Sequence, residues 1–313
     1  MKKSLIVLLC FIATAAFAQQ GAKVVLVPHR DPGFKERLEM IKVTEDYVIG
    51  KEKKYDSTYA TANVKWIKET ASKCYVEWTF DKYARDTAKM DNKDKAAVYI
   101  LSRFTELSPI VITIRKLDGV VAIDNQSDID SVSKKVAEEV ARLYPNDKEG
   151  ASKEIKGDLM EFLVAAQIQK ELIKPIEVFY GMYNTEDTIA VGVKQDIKTL
   201  GKNNRALGDL GAFSPKGYRL LEKTNSGDYK LTMDLDIDMS EMMAMFAGMA
   251  KSLGGDVKAD TLAKTEMQFK GMYIVEFDKQ TNITSSYFKL DMKGNMMGEK
   301  GDKKEWVRIR KIG

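Results

Sequence analysis

Residues 230–239, KLTMDLDIDM, alternate without a fault: Leu231, Met233, Leu235, Ile237 and Met239 on one side, Lys230, Thr232, Asp234, Asp236 and Asp238 on the other. A helix cannot keep that pattern on one face, whereas a strand with one packed and one wet surface requires it. The same period recurs in Met267, Phe269, Gly271, Tyr273, Val275 and Phe277, and in Cys74, Val76, Trp78 and Phe80. One-sided strands of this kind belong to antiparallel sheet rather than to the doubly covered strands of βαβ proteins.

Working outward, the run around Ala62 to Lys68, with Val64 and Trp66 in phase, is placed to pair with the Cys74 strand across Glu69–Lys73. Leu38 to Val48 reads as a further strand. Asp91 to Lys95 reads as a polar break, and Ile110 to Arg115 as a strand that turns at Leu117-Asp118-Gly119 into Val120 to Asp124. On the other side, Asp278 to Asn282 is a turn into Ile283 to Met292, and Trp306 to Ile312 is a last strand. The two strand-turn-strand units are alike in length, which fits either an internal duplication or two ordinary meanders.

Between the strand-rich parts the period changes to 3.6. Ile129 to Tyr144 is expected to be helical and to stop at Pro145. Ser152 to Lys170 is expected to form a second helix with Ser152 as N-cap and Ile155, Leu159, Phe162, Leu163 and Ala166 as its buried stripe. A short helix is expected to begin at Pro175, with Ile176, Phe179, Tyr180 and Tyr183 inward. The expectation is an α+β protein: mostly antiparallel curved sheet in two meander halves with a helical middle segment. The boundaries read as 1–18 signal peptide, 19–128 N-terminal strand-rich half, 129–193 helical segment, 194–215 loop and 216–313 C-terminal strand-rich half, with 19–313 able to form one continuous domain.

The first eighteen residues carry the leader pattern: Lys2 and Lys3, an apolar stretch too short to span a bilayer, and Ala16-Phe17-Ala18 before Gln19, which sets cleavage between Ala18 and Gln19. Cys10 follows Leu9 and would cut the apolar run in half, so it makes a poor lipid-attachment site. Export to the periplasm or cell envelope is therefore expected. The full chain has 313 residues, with 50 Lys+Arg against 46 Asp+Glu. Without the leader the balance is 48 to 46, which leaves no electrostatic footprint for nucleic acid. No apolar run outside the leader reaches membrane length.

The same cut leaves Cys74 as the only cysteine and His29 as the only histidine. That excludes an internal disulfide and ordinary His/Cys zinc sites. A Ser-His-Asp arrangement would need His29, and no Gly-x-Ser-x-Gly accompanies it. The alternation points the Cys74 thiol into a sheet core, where a thiol is inert. No catalytic residue, metal site or cofactor is assigned. Asp234, Asp236 and Asp238 with Glu241 begin like a calcium loop but lack glycine at the sixth position, so they read as a solvated strand face. Asn282-Ile283-Thr284 matches a glycosylation sequon. Eleven of the 16 methionines lie between Met233 and Met297. If 238–252 is a helix, Met242, Met245, Phe246 and Met249 share a face and are the candidate lining for a hydrophobic ligand, with ordinary packing on the sheet and a Cu(I) site as the competing readings.

The Ala16-Phe17-Ala18-Gln19 ending, the two meander halves and the Gly271-Met272-Tyr273 to Asp278 to Thr281 hairpin resemble uncharacterised exported proteins of Bacteroidota-type Gram-negative bacteria. Asn282 stands where those hairpins usually have glycine. The architecture also resembles the outer-membrane lipoprotein carriers. The resemblance implies an envelope location and no assigned reaction. It favours a non-enzymatic protein that binds a hydrophobic small molecule or an envelope protein, ahead of a structural or assembly component and of a hydrolase built on two carboxylates.

Overall fold

The computed structural model describes residues 21–48, 52–85, 92–143, 153–197, 216–238, 267–296 and 299–313. The leader, its Ala18/Gln19 junction, Ser152, Pro145 and the whole group Met242, Met245, Phe246 and Met249 lie outside the described residues.

Mostly antiparallel sheet is what the alternating stretches build. The strands are β1 (Lys23–Leu26), β2 (Lys35–Val48), β3 (Lys54–Glu69), β4 (Lys73–Arg85), β5 (Ile110–Arg115), β6 (Val121–Ile123), β7 (Asn184–Ala190), β8 (Gln195–Asp196), β9 (Lys216–Lys223), β10 (Tyr229–Asp238), β11 (Met267–Phe277), β12 (Ile283–Met296) and β13 (Glu299–Lys311). Eleven of them form one open sheet in the order β6-β5-β4-β3-β2-β13-β12-β11-β10-β9-β8, and β1 and β7 pair separately. The two runs of consecutive strands meet where β2 pairs with β13, Met40 opposite Ile309 and Lys42 opposite Val307. Both sheet edges are very short strands, which offer little template for pairing with another chain.

Register follows the apolar phase. Val64 stands opposite Trp78 and Trp66 opposite Val76, and Leu231, Met233 and Leu235 oppose Val275, Tyr273 and Gly271. Cys74, Val76, Trp78 and Phe80 are all buried. A one-residue slip would turn each of these rows to solvent. Gly119, at a φ of 66°, closes the β5–β6 hairpin; a Cβ there would lie 2.1 Å from the Tyr183 carbonyl oxygen, so the turn and the end of the helical segment pack backbone to backbone.

Among the described residues there are four α-helices: α1 (Asn92–Leu107), α2 (Gln126–Leu143), α3 (Lys153–Ile168) and α4 (Lys174–Tyr180). Helix α1 replaces the polar break expected at Asp91–Lys95. Its Leu101 and Phe104 are fully buried, and three charged residues in its first turn obscured that periodicity. Strand β7 likewise replaces the end of the expected helical segment, because Asn184–Ala190 has β1 to pair with.

The stripe expected on α3 is also corrected. Phe162 and Leu163 are 67% and 48% exposed, while Val164, Ile168 and Leu172 are buried. The short helix expected at Pro175 is present, with Ile176, Phe179, Tyr180 and Tyr183 buried, but it is continuous with α3 rather than a new start. Residues Gln169–Ile173 form a π turn that carries α3 directly into α4, with the Lys174 N–H bonded five residues back to the Gln169 carbonyl. Proline has no N–H for the Glu171 carbonyl and its ring would clash there, and the wider turn immediately upstream relieves both.

Candidate functional site

The inward face of β2 carries Glu36, Leu38, Met40 and Lys42, so a charge sits at each end of an otherwise apolar row. Both charged residues are buried. The α3–π–α4 segment crosses above them, antiparallel to β2, with Glu171 over Lys42 and Tyr180 over the Glu36 end.

At the Lys42 end the ammonium group donates to both oxygens of Glu171, at 3.2 and 3.1 Å, and lies 3.4 Å from Glu305 of β13. Lysine and glutamates arrive from the helix and from both strands of the central seam. The charges answer one another, and the cluster reads as a structural clamp.

The Glu36 end differs. Its carboxylate lies 3.6 Å from the Arg30 guanidinium, which also bonds Asp278 at 3.3 Å and stacks 4.4 Å from the centre of the Phe34 ring. Around it stand Trp66 of β3, Trp78 of β4 and Tyr180 of α4, with Tyr180 6.2 Å from Trp66 and 6.0 Å from Trp78, both edge to face. Glu36 Oε2, Trp66 Nε1, Trp78 Nε1 and the Tyr180 hydroxyl are all inaccessible to solvent and make no hydrogen bond. The Trp66 indole favours the charged form of Glu36, and the Trp78 indole does the same for Tyr180. Both indoles act directly on these oxygens without meeting full hydrogen-bond geometry. A buried polar group without a hydrogen bond costs about 1–3 kcal/mol; Trp66 Nε1, Trp78 Nε1 and the Tyr180 hydroxyl are three such groups in one place, while Glu36 Oε2 faces the Arg30 guanidinium.

Electrostatics follow from this burial. Loss of solvation pushes the Glu36 carboxyl above the ordinary range, although Arg30, Trp66 and Lys311 all pull it down. Desolvation raises Tyr180 and Tyr183 well above a normal phenol. Tyr183, stacked on Tyr180, is satisfied: its hydroxyl accepts the Ile283 N–H at 3.0 Å.

A strap from the start of the described chain closes this end. The His29 N–H donates to Asn282 Oδ1 at 2.8 Å, and the Thr281 hydroxyl donates to the Val27 carbonyl at 2.7 Å. Thr281 is the one described non-glycine residue at positive φ, 63°, and that bond to the strap holds it there. The left-handed residue of the hairpin is thus Thr281, not Asn282. Asn282 is buried with its amide on Asp278, so the sequon is closed to a glycan. His29 is exposed.

Cys74 is fully buried and its thiol is pushed up to about 11 by desolvation, the inert role expected of it. Among the described residues, no three His, Cys, Asp or Glu side chains come together as a metal site. Asp234 and Asp236 lie on the outward side of β10; Glu241 lies outside the described residues. No described helix is long and apolar enough to cross a membrane.

A strand starting at Leu38 leaves Glu36 outside the alternating phase; carried two residues back, the phase puts the charged Glu36 and Lys42 on the inward side of β2.

No protein-family model and no curated protein sequence matches the chain. Two solved structures align with it along most of its length. DynF from the dynemicin biosynthesis pathway of Micromonospora chersina is 8% identical at a TM-score of 0.20, covering 93% of this chain and 85% of its own. A DUF1329 family protein from Desulfovibrio piger is 8% identical at a TM-score of 0.13, covering 88% and 86%. Scores of that size carry no argument about this protein.

Proposed function

We propose that this is a non-enzymatic binding protein of the cell envelope, exported by residues 1–18, that holds a hydrophobic small molecule between the inner face of its open sheet and α4. The observation that carries this reading is the aromatic wall of Trp66, Trp78 and Tyr180 beside the buried Glu36–Arg30 pair, in which Trp66 Nε1, Trp78 Nε1 and the Tyr180 hydroxyl make no hydrogen bond. An apolar wall with a few convergent polar groups suits an amphipathic molecule: the wall takes the apolar body and the polar atoms fix its orientation.

Native mass spectrometry of the exported chain, before and after organic extraction, tests this. A removable adduct of lipid mass supports it. A bare polypeptide mass throughout, together with no change in tryptophan emission on adding short-chain amphiphiles, refutes it.

A second reading rests on Phe162 and Leu163, adjacent and exposed on α3. A protein partner covering them would make the molecule an assembly component of the envelope. Phe162→Asp with Leu163→Asp would then release the partner while leaving amphiphile binding intact.

A further inference from the structure

The outer face of the large sheet carries an apolar belt of its own. Register aligns its outward residues in rows across the strands: Tyr59, Ile41, Arg308, Tyr287 and Ile274 follow one another from β3 to β11, and in the next row Val43 stands opposite Trp306. The Tyr287 and Trp306 rings are 6.1 Å apart. Val43 is 3% exposed although it lies outside the core cluster, and the rest of the belt is half-buried. Among the described residues, the helices and the β1–β7 pair send their buried side chains into the core on the other side. A contiguous apolar belt on a bare sheet face marks an association surface.

Charged rows border the belt. On one side Lys82, Glu39, Arg310 and Glu276 lie on β4, β2, β13 and β11; on the other Glu45, Lys304, Asp291 and Lys270 alternate in sign from β2 to β11. We infer that a second copy of this chain covers the belt, the two sheets stacked face to face about a two-fold axis along the β2–β13 seam.

Charge singles out that axis. It sets Glu39 against the second copy's Arg310, Lys82 against its Glu276 and Glu45 against its Lys304, while Tyr59 meets Tyr287 and Val43 meets Trp306. The remaining cations meet neutral residues, Arg308 facing Ile41 and Lys289 facing Ser57. Moving the axis one strand toward β12 puts Glu39 on Glu276, and one strand toward β3 puts Lys82 on Arg310. An axis across the strands puts Glu39 on Glu45 and Arg310 on Lys304. Like charges placed face to face oppose association. Arg310 bonds Glu39 of its own chain at 2.7 Å, so the seam axis turns each such pair into part of a ring of four alternating charges. Six strands from β4 to β11 and four rows of side chains span about 800 Å² per copy, the share of one partner in a stable interface.

Lys82 and Glu276 are both exposed and five strands apart within one chain, so only a second copy brings them together. Sedimentation velocity of the exported chain over about a hundredfold range of concentration should show a dimer. Lys82→Glu alone, or Glu276→Lys alone, should raise its dissociation constant at least about tenfold, and the two together should restore it. A monomer at every concentration means that something other than a second copy covers the belt, and it overturns the inference. A dimer unmoved by the single reversals, or one that the paired reversal fails to restore, overturns it as well.

Discussion

Lys42 Nζ lies 3.1 Å from Glu171 Oε2, with both side chains only 8% exposed, and the pair joins the inner face of β2 to the π turn above it. The two residues are 129 positions apart in the chain. Their contact sets how far along the strand the helix sits, and therefore which residue of α4 arrives over Glu36.

Breaking that pair should be costly and replacing it should not. Glu171→Ala is expected to lower unfolding free energy by about 3 kcal/mol, because it leaves Lys42 buried with only Glu305. Lys42→Met combined with Glu171→Leu should recover most of the loss. Urea unfolding of the two variants beside the parent measures both, and an unchanged midpoint in Glu171→Ala would show that the clamp does not hold the helix.

Glu36 gives stability a pH dependence of defined sign. Its carboxyl is raised in the folded chain, so the native state holds that proton more tightly than the unfolded state does. Its contribution is full below the ordinary carboxylate range and is lost as pH rises through the raised value. Glu36→Gln should remove this component and be at least as stable as the parent at pH 7. Thermal melts at pH 4, 5, 6 and 7 compare the slopes. A variant that loses stability toward pH 7 as steeply as the parent would assign that slope to another group.

The Cys74 thiol, buried and raised to about 11, should be silent to alkylating reagents in the native chain. Labelling at pH 8 is expected to follow global unfolding, so its rate should climb with urea in step with loss of tryptophan signal. Rapid labelling without denaturant would mean that β4 opens locally.

Gly119→Ala should destabilise by more than about 1 kcal/mol. The position has positive φ, and the added carbon would collide with the Tyr183 carbonyl oxygen. Chemical denaturation reads the loss, and hydrogen exchange should place it in the β5–β6 hairpin and in residues 181–183. Uniform loss of protection over the whole sheet would contradict a local clash.

Alternation alone places the long strands such as β3, β4, β10 and β11, because a side chain's face in a sheet depends only on whether its position is odd or even, whereas β1, β7, β8 and β9 carry no such signal. That is why Cys74, Val76, Trp78 and Phe80, or Leu231, Met233 and Leu235, point inward as their spacing says. The leader pattern and the scarcity of cysteine and histidine are likewise properties of the chain as written. The pairing of β2 with β13, which joins the first long strand to the last, has no local signal. Neither has the phase of α3, where Pro175 and the π turn bring Val164 and Ile168 to the core and leave Phe162 and Leu163 outside. The buried cluster at Glu36 is the extreme case. Arg30, Asp278, Trp66, Trp78 and Tyr180 come from five separate segments, and a charged residue at an inward strand position is tolerable only after folding has brought those distant partners to it.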